Sequence, residues 1–459
     1  MTVPSLEASL GMTVYATRTP GVGGRIKLFA EDFIVEEILV DGSKATLKHT
    51  PAGLPEGWGR HLLCLLVKKN WDTLAALEKI AEELNIDEGQ LHVAGIKDTK
   101  AVTAQHISVS RVPPEKILNI KVKGLRVYPI RFEDEAVSPS RLYGNHFHIV
   151  VRSISYGPAV VEERINAVVE ELKHLGGVPN YFGHQRFGTK RPVTHLVGRQ
   201  IVKGNLEEAS LTFLSLPSPF EDPDAREARR LIREAGDYRA ALKILPKHLT
   251  YERAMLKHLI KHPRDYLGAL RRLPLKLRRL FVQAYQSYLY NLFLSERIKR
   301  GMPLNDVLVG DYALELDGCG LPTGRASRVS ESNLSQIREK MRRGEAALAI
   351  PLVGLKVEAS GGVQGEIERE ILSSEGVNPQ DFRVECMPEA VARGGFRRVL
   401  TPIINLQTSE ASEDPVNPSK FKVELDFTLL RGSYATVLLR EVMKPRNVVE
   451  VGLHPARLF

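Results

Sequence analysis

One aspartate between two lysines, on a short polar stretch bounded by apolar runs, is where this sequence could do chemistry. The stretch is Ala94-Gly95-Ile96-Lys97-Asp98-Thr99-Lys100-Ala101-Val102-Thr103-Ala104-Gln105. Leu91-His92-Val93-Ala94 reads as a short strand, and Gly95 allows a turn that other residues resist. Gln105-His106-Ile107-Ser108-Val109 then resumes a strand-like alternation. Asp98 is therefore expected on a tight loop between two strands, with Lys97 and Lys100 beside it and Thr103 and Gln105 soon after. Rigid scaffolds often hold catalytic groups on such loops. Taken alone, an Asp beside Gly and Thr is ordinarily a turn former or a helix cap. A carboxylate presented singly can attack an electrophilic carbon or remove a proton.

A second block carries a different chemistry: Gly177-Val178-Pro179-Asn180-Tyr181-Phe182-Gly183-His184-Gln185-Arg186-Phe187-Gly188-Thr189-Lys190. Aromatics interleaved with Asn, Gln and Arg suit RNA, since unstacked bases pack on rings while amides and guanidinium groups read their edges. Asn180, Phe182, Gln185 and Arg186 are the candidates for such contacts. For Tyr181 and Phe187 a core position weighs equally, because buried aromatics are common. Gly183 to Lys190 comes close to a phosphate-binding loop, but the order Gly-Thr-Lys is wrong for Gly-Lys-Ser/Thr, which argues against an NTPase.

The elements that must position these groups can be read from the rest of the chain. At 459 residues, two or three domains are expected. A net charge of +9 suggests a polyanionic partner. Cys64, Cys319 and Cys386 lie far apart, which fits neither a disulfide framework nor a zinc site and points to a reducing compartment. No leader-like start or membrane-length apolar run is present, so a cytoplasmic protein away from membranes is expected.

Residues 1 to 24 read as loose. Phe33-Ile34-Val35 is β-prone, His61 to Val67 reads as a strand buried on both faces, and Asp72 as the cap of a helix through Leu84. Val122–Phe132 and Leu142–Arg152 alternate like strands, with His146 and His148 on one face rather than as metal ligands, and a helix spans Val160–Leu175. Helices are expected over Glu221–Ala235 and Leu242–His262, with His258 and His262 on the surface. From Pro274 a long helix carries Phe281, Tyr285, Leu289, Leu292 and Phe293 as a core stripe. The arginines of 271–279 read either as a solvated face or as an RNA phosphate contact, and the total charge favours the latter. Two further basic groups, Lys340 with Arg342 and Arg343, and Arg393 with Arg397 and Arg398, are expected to be solvated faces. Residues 408 to 419 read as a surface loop, Val423–Phe427 as a strand, and Ser433 as the cap of a final helix.

The string Gly95-x-Lys97-Asp98-x-x-Ala101-x-Thr103-x-Gln105 resembles the active-site loop of the TruD family of tRNA pseudouridine synthases. Lys27, Glu31-Asp32-Phe33 and Glu37 match its N-terminal motif, and Asn180-Tyr181-Phe182-Gly183-x-Gln185-Arg186-Phe187-Gly188 matches its most distinctive one. Gly144-Asn145 with Phe147 and Arg152, Ala284-Tyr285-Gln286-Ser287 with Asn291, Pro351 to Gly354, and Gly432-Ser433-Tyr434-Ala435-Thr436 follow in the family's order. The resemblance implies an α/β (α+β) fold, with a pseudouridine-synthase catalytic domain built around an antiparallel sheet. That domain would comprise 1–204 and 406–459, interrupted by a mixed α/β inserted domain at 205–405. Asp98 is the implied nucleophile, Lys27 its neighbour, and Phe33 lies near the base. Phe182 is implied to stack on the target uracil, and Asn180 and Tyr434 to contact the substrate. The implied partner is tRNA, modified at uridine 13 of the D arm by a monomer needing no metal or other cofactor. Two alternatives are a non-catalytic RNA-binding or RNA-chaperone protein on the same scaffold, and an enzyme of small acidic molecules.

Overall fold

The structure is a computed structural model and describes residues 2–48 and 53–454. The chain separates into two compact units, one of Gly21–Glu170 with Thr401–Ala435, the other of Met1–Pro20, Glu171–Leu400 and Thr436–Phe459.

The first unit is built on a nine-stranded sheet. Its N-terminal strands are β1 (Phe33–Leu39), β2 (His61–Lys69), β3 (Leu91–Val93), β4 (Val102–Ser110), β5 (Leu125–Glu133) and β6 (Leu142–Ile154). From one edge the order is Ile403–Thr408, Phe421–Leu430, β6, β1, β4, β2, β5, with β3 pairing β4. The sheet is mostly antiparallel, as expected, but β1 and β4 run parallel, Ile34 opposite Val102. Leu62 to Val67 are all buried, so β2 is covered on both faces. One cover is the helix Thr73–Leu84, whose Ala76, Leu77, Ile80 and Leu84 pack on Leu62, Cys64 and Leu66. Burying a leucine or isoleucine side chain contributes roughly 1.5–3 kcal/mol. Asp72 caps that helix, accepting from the N–H groups of Leu74 and Ala75. At Gly144 β6 passes close to the strand Phe421–Leu430: a Cβ there would lie 2.3 Å from the Leu429 carbonyl oxygen.

The second unit is organised by the helix Leu275–Lys299. Phe281, Tyr285, Leu289 and Phe293 are buried, so the predicted stripe is core. A four-stranded antiparallel sheet belongs to this unit, in the order Gly395–Arg398, Ala346–Leu352, Tyr312–Leu316, Pro322–Arg328.

Several expectations need correction here. Residues 2 to 20 are not loose: Leu10 and Met12 are core, and the buried Glu7 carboxylate accepts from Arg440 Nε at 2.8 Å. Charges this deep persist only when paired, and a terminal segment has no sequence periodicity to announce such a pair. The stretch 242–262 holds two helices, Tyr238–Ile244 and Thr250–Lys261, because Pro246 lacks the N–H that a continuous helix needs. His258 is buried, bonded to Asp265 Oδ2 at 2.7 Å and to Arg272 Nε at 3.2 Å, while His262 is exposed. Arg271 and Arg278 form ion pairs with Glu389, and Arg279 Nε donates to its carbonyl, so part of the basic run is satisfied internally. Arg397 and Arg398 are not a fully solvated face but half-buried.

Candidate active site

Asp98 sits on the loop between β3 and β4. Its Oδ1 is 2.6 Å from Lys27 Nζ. The Lys27 backbone has a left-handed φ of 58°, a conformation uncommon outside glycine. The turn Ala30–Asp32 that follows is locked by Asp32, which accepts from Phe29 N–H at 2.9 Å and from Arg152 Nε at 2.7 Å. Phe33 opens β1 and is buried, edge-on to Phe147, with Lys27 Nζ 4.0 Å above its ring. The ring face and the Asp98 carboxylate thus hold the same ammonium. The structure brings Lys27, Phe33 and Asp98 together.

The loop is fixed through its backbone and neighbours. Lys68 Nζ donates to the Asp98 carbonyl oxygen at 2.8 Å and to that of Trp71 at 2.8 Å. Lys97 N–H donates to Thr73 Oγ1 at 3.0 Å, and Gln105 Nε2 to the Gly95 carbonyl oxygen at 3.2 Å. The Lys97 ammonium is 2.5 Å from Glu37 Oε2, a buried pair, and Glu37 Oε1 also accepts from His106 N–H at 3.0 Å. Burial pushes the Glu37 carboxyl upward, but His106 and Lys97 outweigh it and hold it below the ordinary carboxylate range. The side chain of Asp98 keeps 21% exposure while Lys27 keeps 8% and Lys97 4%. The carboxylate is therefore presented from a loop whose support is buried, as preorganisation of a catalytic group requires.

Lys68 escaped the sequence reading, although a lysine ending an otherwise apolar strand was a signal. Burial pushes its ammonium down to about 8, against the opposing pull of Asp98 and Asp72. Between that value and 10.5 the unfolded chain binds more protons than the folded one, so folding stability rises with pH there. Stability contributed by this depression is complete above the unfolded value and is lost as pH falls through about 8. Wild type is expected to gain stability relative to Lys68→Met as pH rises from 8 to 10.5. Urea unfolding of both proteins across that range checks this, and parallel curves would count against it.

The second block lies in the other unit. Tyr181 and Phe187 are fully buried, so both are core residues. Phe182 is held by its backbone: its N–H donates to Asn291 Oδ1 at 2.9 Å, and Asn291 Nδ2 donates to its carbonyl at 3.0 Å. Its ring meets Tyr290 edge-on, and the guanidinium of Arg397 lies 4.0 Å above its centre, that of Arg186 5.6 Å. Arg397 Nη2 also donates to Asn180 Oδ1 at 2.6 Å and its Nε to the Asn180 carbonyl at 2.8 Å. The Asn180 amide donates to the Arg398 carbonyl. Arg186 Nε donates to Ser287 Oγ at 3.0 Å, and Gln185 is exposed. Asn180, Phe182 and Arg186 thus form one cluster with Arg397 and Asn291. Arg397 was out of reach of the sequence reading because more than two hundred residues separate it from Phe182.

Tyr434 is half-buried just before the helix Ala435–Met443. The Ser433 hydroxyl donates to Thr401 Oγ1 at 2.8 Å. Among the described residues no group of three or more His, Cys, Asp or Glu could hold a metal ion, and no helix is long and apolar enough to cross a membrane. The three cysteines are free.

A mostly antiparallel sheet that presents a lysine-paired carboxylate from a braced loop defines a mixed α/β protein with a single-carboxylate site. The same architecture is found in a solved protein of Methanosarcina mazei described as a putative tRNA pseudouridine synthase D, with a TM-score of 0.82 and 37% identity, covering 97% of this chain and 99% of that one. The sequence pattern of the tRNA pseudouridine synthase D (TruD) family matches residues 9–442, and the chain belongs to that family. A protein of Methanosarcina mazei described as a probable tRNA pseudouridine synthase D is 38% identical over 446 residues, 97% of this chain and 98% of the relative. A protein of the same description from Methanopyrus kandleri is 40% identical over 393 residues, 85% of this chain and 88% of the relative.

Proposed function

We propose that this protein isomerises a uridine of tRNA to pseudouridine, at position 13 in the D arm, with Asp98 as the reacting carboxylate. The observation that carries the reading is the Lys27–Asp98 pair, 2.6 Å apart, on a loop braced by Lys68, Thr73 and Gln105 in a chain of this family. The reaction conserves every atom. The C1′–N1 bond breaks, the uracil turns over, C5 bonds to C1′, and the proton displaced from C5 leaves as N1 regains one. Asp98 serves by attacking C1′ or by removing the 2′ proton. The chemistry uses neither ATP nor a redox group, so no cofactor enters. Lys27 keeps the carboxylate charged, and Phe33 holds Lys27 in place on the side of the base.

The uridine must leave its stack to react, and a ring in its path replaces the stacking it loses. Phe182 takes that role, with Asn180, Gln185, Arg186 and Tyr434 as further substrate contacts. In this reading Arg397 covers the Phe182 ring until RNA is bound. The catalytic domain comprises 1–204 and 406–459 and the inserted domain 205–405. The protein acts as a cytoplasmic monomer.

Pseudouridine mapping of unmodified tRNA incubated with the protein tests the activity and its position together: a single new modification at position 13 is expected, and tRNA bound without modification would overturn the reading. Phe182→Ala is expected to lose roughly 1–3 kcal/mol of stacking, felt in single-turnover rate as well as affinity, while Phe182→Tyr keeps most of it. A well-folded Phe182→Ala enzyme with normal rate would defeat the stacking role. A lowered melting temperature in both variants, with rate intact, would make Phe182 a core residue only.

A further inference from the structure

A cavity of about 460 Å³ lies wholly within the second unit. That volume is within the range of small-ligand sites. Its walls come from the helix Leu334–Arg342, the strand Ala346–Leu352 and Arg398 on the neighbouring strand. Met341 and Leu348 supply apolar wall, and Arg338, Arg342 and Arg398 supply charge.

These arginines differ in how they are satisfied. Arg338 is matched by Asp306, the carboxylate that lines the cavity, through two bonds: Nε to Oδ1 and Nη2 to Oδ2, both 2.9 Å. Arg342 is exposed and pairs with Glu339. Arg398 is half-buried, and among the described residues no carboxylate lies within ion-pair reach of it. Its Nε donates to the Leu400 carbonyl at 2.5 Å and its Nη1 to the Gly320 carbonyl at 3.3 Å, while Nη2 makes no hydrogen bond among the described residues. Burial pushes its guanidinium down to about 10. Even a partly desolvated cation without a counter-charge is costly, and an anionic ligand would supply the missing charge.

We propose that this cavity is a phosphate subsite in which Arg398 takes one phosphate of bound tRNA, with the attached ribose or base against Met341 and Leu348. A planar guanidinium with a spare N–H edge suits a phosphate oxygen, and the aliphatic wall suits the uncharged part of a nucleotide. Arg342 at the exposed end adds attraction for the same anion. The proposal rests on the reading of the protein as a tRNA enzyme, and it locates a contact for part of the RNA on the second unit, which does not carry Asp98. A free nucleotide offers the same phosphate chemistry, and the test separates the two sources.

Two variants probe the site. Arg398→Met removes the charge. Ala347→Trp, on the half-buried Ala347 that lines the cavity, fills the space and leaves the Arg398 bonds to Leu400 and Gly320 in place. The dissociation constant for unmodified tRNA is measured over a series of salt concentrations, with melting temperature as the check on folding. Both variants are expected to weaken binding about tenfold, and Arg398→Met to reduce the slope of log affinity against log salt by about one unit, as loss of one phosphate contact does. Binding of uridine 5′-monophosphate and of inorganic phosphate is measured in parallel. If the folded Ala347→Trp protein binds tRNA normally but loses a nucleotide affinity that wild type has, the phosphate comes from a free nucleotide. If folded Ala347→Trp binds tRNA, nucleotide and phosphate as wild type does, the subsite is overturned. Wild-type turnover is recorded separately, so that absence of isomerisation would count against the proposed activity and leave the binding result standing.

Discussion

Asp98→Asn is expected to abolish isomerisation while tRNA binding persists. The amide keeps the shape of the side chain but neither attacks carbon nor accepts a proton as a carboxylate does. Removing the nucleophile of an enzyme costs on the order of 10⁴–10⁶-fold in rate, and that is the loss expected in single turnover. Binding survives because three bonds that fix the loop leave the Asp98 side chain aside: Lys68 holds the Asp98 carbonyl, Thr73 the Lys97 N–H, and Gln105 the Gly95 carbonyl. Single-turnover assay on unmodified tRNA, with equilibrium binding of the same RNA, checks both halves. Turnover above a trace in a variant whose identity has been verified by mass would remove Asp98 from the chemistry. Loss of binding together with rate would make it a structural residue.

Lys27→Met is expected to have the next largest effect, and its mark is on pH dependence. A cation 2.6 Å from a carboxylate favours the charged form, and the ring of Phe33 holds that cation in place. With methionine the carboxylate keeps its half-buried position and loses its counter-charge. The acid limb of the single-turnover pH profile should then move upward, because an opposite charge at this distance favours the ionised carboxylate. The sign follows from the active form: if the carboxylate must be ionised to react, whatever destabilises the ion raises the pH at which activity appears. At neutral pH the rate falls, and part of it should return at higher pH. An acid limb that stays in place would remove Lys27 from the site. A melting temperature that falls while the profile is unchanged would leave Lys27 with a purely structural part.

Local pattern was enough for much of the secondary structure and for nominating Asp98 as the candidate reacting group. The apolar run of His61–Val67, the Asp72 cap and the Phe281-to-Phe293 stripe depend on periodicities of two and 3.6 within a few residues, and each stands in the structure where it was expected. Asp98 was legible because its motif is contiguous, and the approach of Lys27 because the resemblance names both residues. What the tertiary structure alone decided are interactions between distant segments. Nothing in the local sequence could show that Lys68 bonds the Asp98 carbonyl, that Glu37 joins Lys97 to His106, or that Arg397 lies on Phe182. The first two follow from the strand order that sets β1 and β2 on either side of β4, and the third from the path of a strand more than two hundred residues further on. The same holds for the groups read as surface, the buried His258 and the half-buried Arg397 and Arg398, and for the buried Glu7 in a segment read as loose. A charged side chain reads as solvated from sequence because burial is costly, and only the fold supplies the partner or the cavity that makes its burial tolerable.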